Sequence, residues 1–186
     1  HMADTGGALP GGYGADAYDI IAEGLNIPPL KIMKGGVLDK DLINQLSEPL
    51  SSLKPMPAVF EQNYVKRITG ENVKTGKNKK DLAEQVRADI RQFKQQHGLD
   101  RMVMVWCGST EIFATQAPAH ASIDAFERAL EQNDPAIPSS MVYAYAAIRE
   151  GIPYANAAPN LTADIPALVE LAARTGSPLA GKDLKT

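Results

Sequence analysis

From residue 81 onward the chain switches regularly between two apolar spacings, and this alternation constrains its fold more than any other feature. Leu82, Val86, Ile90 and Phe93 fall at i, i+4, i+8 and i+11, one stripe of an amphipathic helix over about 80–97 that Gly98 ends. The run Met102 to Trp106 follows, and its unbroken apolar character predicts a strand covered on both faces. Ser122 caps a second helix, over about 122–132, striped by Ile123, Phe126 and Leu130. A third helix begins at Ser139 or Ser140, just past Pro138, carries Met141, Tyr145 and Ile148 on one face, and stops at Gly151. Pro153 to Ala157 reads as the next strand. A fourth helix over about 165–175 has Asp164 as its expected N-cap, Pro166 in its first turn and Gly176 at its end, and Pro178 to Ala180 opens a last strand. Helix and strand in strict alternation predict an α/β fold with a parallel sheet joined by right-handed crossover helices.

The preceding residues are less regular. Residues 3–16 are rich in glycine and poor in apolar side chains, and they read as a flexible arm. No strand precedes those glycines, so they are not a phosphate-cradling loop. A short helix is expected over 16–24 and another from Asp39 to Leu46, whereas Pro55 and Pro57 make the segment after Leu53 extended or turned. The expected organisation is an arm with a short helix over 1–36, then an α/β domain over 37–186 that begins irregularly. Lys66, Arg67, Lys74, Lys77, Lys79 and Lys80 crowd one stretch. It reads as a solvated, mobile basic loop or as a contact for an anionic ligand or an acidic partner face. Without interleaved aromatics it is no stacking surface for nucleic acid.

Composition narrows the function classes. Apolar residues make up 44% of 186 residues, enough for one sizeable core. The net charge of −3, with 22 acidic against 19 basic side chains, argues against a nucleic-acid or membrane-surface binder. A single cysteine, Cys107, excludes an internal disulfide framework and a thiolate zinc site, and it fits a reducing cytoplasm. No apolar run approaches the roughly 20 residues of a membrane span, and no basic-then-apolar leader opens the chain.

Open parallel sheets bind ligands at the carboxyl ends of their strands. Three such ends are legible: Cys107 to Glu111, Ala158 to Thr162 and Gly181 to Lys185. All are short, polar and built of small residues that let a flat ligand approach the backbone. Ser109, Thr110, Asn160 and Thr162 offer hydroxyl and amide hydrogen bonds, and Lys182 and Lys185 offer charge for a phosphate or an enolate. Each could equally be ordinary turn chemistry; together they point to a nucleotide-type crevice. Other candidates are bland. Cys107 reads as a small buried hydrophobe, since nothing places His97 or His120 beside it as a base. His97 falls in a last helical turn, His120 is expected to be exposed, and Glu111 with Asp183 is a candidate acid–base pair. No spacing suggests a metal site.

Taken in order, these strand-end segments resemble the motifs of the inositol-phosphate synthases. Val105-Trp106-Cys107-Gly108-Ser109-Thr110-Glu111 resembles the family's Leu-Trp-Thr-Ala-Asn-Thr-Glu, Glu150-Gly151-Ile152-Pro153-Tyr154 its Glu-Gly-Ile-Pro-Phe, and Ala158-Pro159-Asn160 its Ser-Pro-Gln-Asn. Pro138-Ser139-Ser140-Met141 is similar to its Ser-Pro-Ser segment, and Gly181-Lys182-Asp183-Leu184-Lys185 to Gly-Asp-Asp-Phe-Lys with a bacterial-type substitution. Lys54-Pro55-Met56-Pro57-Ala58 also fits the bacterial branch, and the resemblance covers about residues 37–186. It implies a partial Rossmann-like fold, NAD as cofactor, and conversion of glucose 6-phosphate to inositol 1-phosphate by oxidation, enolisation, aldol closure and re-reduction, in the service of inositol and phospholipid biosynthesis. Carried over, Cys107, Gly108, Ser109, Thr110, Asn160 and Lys182 become cofactor-binding residues, and Asp183 and Lys185 catalytic ones. The family's glycine-rich dinucleotide loop has no counterpart here: Gly11-Gly12-Tyr13 resembles only its later Gly-Gly-Trp-Asp segment. The resemblance therefore implies a homo-oligomer or a complementing chain that completes the site; the alternative is a non-catalytic homologue that serves as a nucleotide-binding or interaction module.

Overall fold

The computed structural model describes residues 40–45, 48, 56–65, 72–108 and 111–183. In chain order it holds α1 (Lys40–Gln45), α2 (Lys79–Gln96), β1 (Met104–Trp106), a 3-10 turn (Pro118–His120), α3 (Ile123–Glu131), α4 (Ser139–Arg149), β2 (Tyr154–Asn156), α5 (Pro166–Thr175) and β3 (Leu179–Gly181). The four expected helices and three expected strands of the second half are all present. The arm and the helix expected over 16–24 lie outside the described residues.

The three strands pair in parallel in the order β1-β2-β3, with Met104 opposite Tyr154 and Tyr154 opposite Leu179. Sequential order with one crossover hand puts both connections on the same side of the sheet. Met104, Trp106, Tyr154 and Asn156 accordingly face inward, while Val105 and Ala155 are only half-buried and Val103 is 56% exposed. This corrects the expectation of a strand covered on both faces: among the described residues the helices cover one.

The centre of the core is α4. Its residues from Ser139 to Ile148 are buried on every side, as a helix wedged between other layers must be. It packs on α2, α5 and β2. Phe126, Ile137, Ile165 and Leu168 are wholly buried around it. Where α4 ends, Glu150 accepts from Arg87 Nε at 2.6 Å and from Arg91 Nη2 at 2.7 Å, which ties the start of the β2 connection to α2. The Glu-Gly-Ile-Pro motif therefore has a structural use.

The caps show how local chemistry places the ends. Ser122 accepts from the Ala125 N–H as expected, and Asn78 does the same for α2 through the Asp81 N–H. Asp164 does not cap α5; the N-cap is Ile165, because the Asp164 carboxylate is turned back to the Thr162 N–H at 3.0 Å. Gly176 ends α5 in the left-handed region at φ 70.

Of the described lysines in the basic stretch, Lys77 is exposed and the other three are buried or half-buried rather than solvated. Lys79, 3% exposed, buries its ammonium beneath the α3–α4 connection, Lys80 pairs with Glu131 at 3.1 Å, and Lys74 pairs with Asp89 at 2.6 Å. Asp89 lies on α2, Glu131 on α3, and the Lys79 partners lie before α2 and in the α3–α4 connection, none of them adjacent to the lysine run. Lys66 and Arg67 lie outside the described residues.

Candidate functional site

The carboxyl ends of β1 and β2 and the N-terminus of α4 meet in one buried polar cluster. Glu111, 2% exposed, is its centre. Its Oε1 accepts the Ser140 N–H at 3.0 Å, and its Oε2 accepts the Ser140 hydroxyl at 2.5 Å and Asn160 Nδ2 at 3.2 Å. Asn160 Nδ2 also lies 3.2 Å from Ser140 Oγ and 3.0 Å from Thr162 Oγ1. Asn156 Nδ2 donates to the Asn160 carbonyl at 2.9 Å, and its own Oδ1 accepts the Ala158 N–H. The turn after β2 is thus held by side chains at each step.

Burial pushes the Glu111 carboxyl up from 4.5 to about 7; the two bonds from Ser140 and the Lys79 charge pull against that, and Glu61 adds to it. The carboxylate also sits at the N-terminus of α4, where the helix dipole favours its ionised form. A candidate pair with Asp183 is not what forms: Glu111 is engaged with Ser140 and Asn160, while Asp183 is exposed beyond β3 at φ 65.

Two buried polar atoms at these strand ends have no hydrogen-bond partner among the described residues. They are Asn160 Oδ1 and Trp106 Nε1. The orientation of the Asn160 amide follows from its surroundings, since a carboxylate only accepts and so must face the NH2 side. The unpaired oxygen therefore points away from Glu111. Trp106 packs on Tyr143, ring centroids 5.5 Å apart, and against Gly108, where a Cβ would come within 2.8 Å of the indole. Glycine at 108 lets the chain leave β1 directly over that ring.

At the end of β3, Lys182 reaches Asp164 Oδ2 at 3.0 Å. Burial raises the Asp164 carboxyl, but the Thr162 N–H and the Lys182 ammonium outweigh it and hold the group below its ordinary value. Both flank a cleft of about 190 Å³ lined by Asn156, Ala163, Leu179 and Gly181. A larger hollow of about 760 Å³ lies at the opposite, amino ends of β1 and β2, beside Lys94, Arg101 and Glu150, and holds none of the expected site residues. Gly181 is required where it stands: at φ 115 its added Cβ would meet the Asn156 carbonyl oxygen at 2.4 Å. Gly181→Ala is expected to cost about 1–3 kcal/mol through backbone strain and lost β2–β3 pairing, read as a lower urea midpoint. A midpoint within error of the parent would mean that β3 can shift without loss.

Of the expected site residues, Cys107, Gly108 and Asn160 gather at the ends of β1 and β2, and Lys182 and Asp183 follow β3; Ser109, Thr110 and Lys185 lie outside the described residues. Cys107 is half-buried rather than a core side chain. His120 is buried, contrary to expectation: its Nδ1 accepts the Ala117 N–H and its Nε2 lies 2.8 Å from the Ala136 carbonyl, so Nε2 carries the proton. His97 is the C-cap of α2, its ring 4.4 Å from that of Phe93. Ser140 was legible only as a helix start; its part in the cluster depends on Glu111, 29 residues away. Among the described residues no group of histidine, cysteine, aspartate and glutamate could hold a metal ion, and no helix is long and apolar enough to cross a membrane.

Comparison with known proteins agrees with the motifs. The family model for the NAD-binding domain of myo-inositol-1-phosphate synthase matches residues 14–186, reaching into the segment before residue 37 as well. An inositol-3-phosphate synthase 1 of Bacteroides thetaiotaomicron is 38% identical over 176 residues, which is 92% of this chain and 41% of that protein. The inositol-3-phosphate synthase 1 of Oryza sativa subsp. japonica is 32% identical over 90% of this chain and 34% of its own. The crystal structure of inositol-3-phosphate synthase from Caenorhabditis elegans superposes with a TM-score of 0.79 at 28% identity, covering 89% of this chain and 33% of that one. A myo-inositol-1-phosphate synthase-related protein from Thermotoga maritima, at 21% identity and a TM-score of 0.58, shares the fold. The chain spans about two fifths or less of the length of these relatives.

Proposed function

The chain belongs to the myo-inositol-1-phosphate synthase family, and on that premise we propose that it is the cofactor-holding part of an enzyme converting glucose 6-phosphate to inositol 1-phosphate. The observation that carries this reading is the pair of unsatisfied buried atoms, Trp106 Nε1 and Asn160 Oδ1, at the carboxyl ends of adjacent parallel strands. A donor and an acceptor left unpaired inside a fold are costly, about 1–3 kcal/mol each, unless a ligand meets them. The residues present fit NAD in this respect. Gly108 lets the backbone pass close to the indole at the β1 end, and the turn after β2 is held by the Asn156 side chain.

In this reading Cys107, Gly108, Ser109, Thr110 and Asn160 would hold NAD, with Lys182 at the end of β3 offering positive charge for a phosphate. Bound NAD supplies oxidation of a sugar carbon and its later re-reduction. Asp183 and Lys185 act on the sugar, Lys185 as the cation that stabilises the enolate oxygen. The remainder of the site comes from a further segment or from a second copy in a homo-oligomer.

The sole tryptophan gives the test a direct readout, since Trp106 sits at the strand end. Titration with NAD is expected to change its fluorescence saturably. Phosphorus NMR with glucose 6-phosphate and NAD, on this chain completed with the remaining segments of the Bacteroides relative, is expected to show an inositol phosphate resonance that Lys185→Ala abolishes. Saturable binding without any such resonance would assign the chain to nucleotide binding alone. No fluorescence change would overturn the cofactor site.

A further inference from the structure

We infer that Glu111 is a positioning residue: through Ser140 and Thr162 it locks the Asn160 amide so that Oδ1 stays aimed, as an acceptor, at a ligand donor bound over the ends of β1 and β2. This deepens the cofactor reading above and rests on it. The geometry supplies the reason. Three donors converge on the Glu111 carboxylate: the Ser140 N–H, the Ser140 hydroxyl and Asn160 Nδ2. With its hydroxyl proton committed to Glu111, Ser140 Oγ is left to accept from Asn160 Nδ2, and Thr162 Oγ1 is a second acceptor for that NH2 group. Every contact within the cluster thus reads the NH2 side of the amide, and none satisfies its oxygen. A freely rotating amide would pair that oxygen with the Ser140 or Thr162 hydroxyl. The charge on Glu111 prevents it, because reversal would set amide oxygen against carboxylate. The ligand chemistry recognised by Oδ1 is an N–H or O–H donor on a nucleotide: an exocyclic amine, a carboxamide or a ribose hydroxyl.

The lock depends on the charge state of Glu111. The groups that face it are Glu61 and Tyr64 from the segment before α2 and Lys79 from the first turn of α2. A protonated Glu111 becomes a donor, and its grip on the amide loosens. The carboxyl titrates near 7, so ligand affinity should be proton-linked in the neutral range.

Two measurements test this. In the ligand-free chain, the Asn160 side-chain NH2 resonances in 15N-resolved NMR should move with a midpoint near 7, matching the Glu111 carboxyl 13C resonance. The NH2 transition should vanish in Glu111→Gln. An Asn160 amide insensitive to the Glu111 midpoint would overturn the lock while leaving the cofactor site untouched. Second, the NAD dissociation constant, read from Trp106 fluorescence, should weaken about tenfold from pH 8 to pH 5.5 in the parent, the loss of roughly one oriented hydrogen bond. Glu111→Gln should bind about tenfold more weakly at pH 8, with a flat profile and retained folding by circular dichroism, and Glu111→Asp should restore part of the pH dependence. A steep, unchanged profile in Glu111→Gln would overturn the positioning role. Failure of the parent to bind NAD would overturn the cofactor reading and this inference with it, whatever the NMR shows.

Discussion

Lys79→Met should destabilise the folded chain by about 2–4 kcal/mol, the cost of removing charge-assisted hydrogen bonds from three buried oxygens. The ammonium donates to the Tyr64 hydroxyl oxygen at 2.9 Å, the Asp134 carbonyl at 2.9 Å and the Ile137 carbonyl at 2.7 Å, and it pairs with Glu61 at 3.1 Å. Methionine fills a similar volume and keeps the apolar stem, so packing is nearly conserved. What is lost is every donor. The Asp134 and Ile137 carbonyls lose their shortest, charged donor and keep only the Ile137 N–H at 3.2 Å and the Tyr64 hydroxyl at 3.3 Å, and the Tyr64 oxygen loses the one donor it accepts from among the described residues. Tyr64 itself donates to the Pro135 carbonyl at 2.8 Å, so the lysine also steadies the second anchor of the same connection. Glu61, with 32% of its side chain exposed, can turn to water, and Glu61→Gln should therefore cost about 1 kcal/mol or less. Urea unfolding with an unchanged m-value measures both. A Lys79→Met variant within 1 kcal/mol of the parent would mean that the connection is held by apolar packing on Ile137 instead.

That lysine marks the limit of what the sequence discloses. The helices are legible because burying one face leaves a stripe, as Leu82, Val86, Ile90 and Phe93 do in α2. The strands are legible because short apolar runs between glycine and proline have few other uses, although such a run does not say how many faces are covered. Lys79 looks like its neighbours Lys77 and Lys80, since burial of an ammonium depends on carbonyls more than fifty residues away. Its one local signal is the place just after the Asn78 cap, which turns the side chain under the helix start. The same division holds at the site. Strand ends and their small residues can be read locally, and the rule that ligands bind there locates the crevice. That Glu111 would find Ser140 and Asn160 rather than Asp183 depends on how α4 is set against β1 and β2, which only the assembled sheet decides. His120 is buried for a related reason: its ring closes the turn at Ala117 and the loop at Ala136 together.

The second large effect is a pH dependence of stability carried by Glu111. Burial first, opposed by the Ser140 bonds, places its folded carboxyl near 7 against an ordinary 4.5. A group whose folded value is raised binds its proton more tightly in the native state. Its contribution to stability is therefore complete below about 4.5 and is lost as pH rises through about 7. A shift of this size is worth about 3 kcal/mol at most, at 1.36 kcal/mol per unit. The difference in melting temperature between the parent and Glu111→Gln should then move by roughly 5–10 °C against the parent from pH 5 to pH 8, and level off above that. Parallel curves for the two proteins would show that Glu111 titrates in its ordinary range, with water reaching the cluster. The two predictions are coupled through one charge. Lys79 is the cation that faces Glu111 and lowers its value, so Lys79→Met should move the Glu111 midpoint upward as well as weaken the fold. The site thus holds a carboxyl poised near neutrality, and the same buried lysine that secures the α3–α4 connection adds to the Ser140 bonds that favour the ionised form needed to hold Asn160.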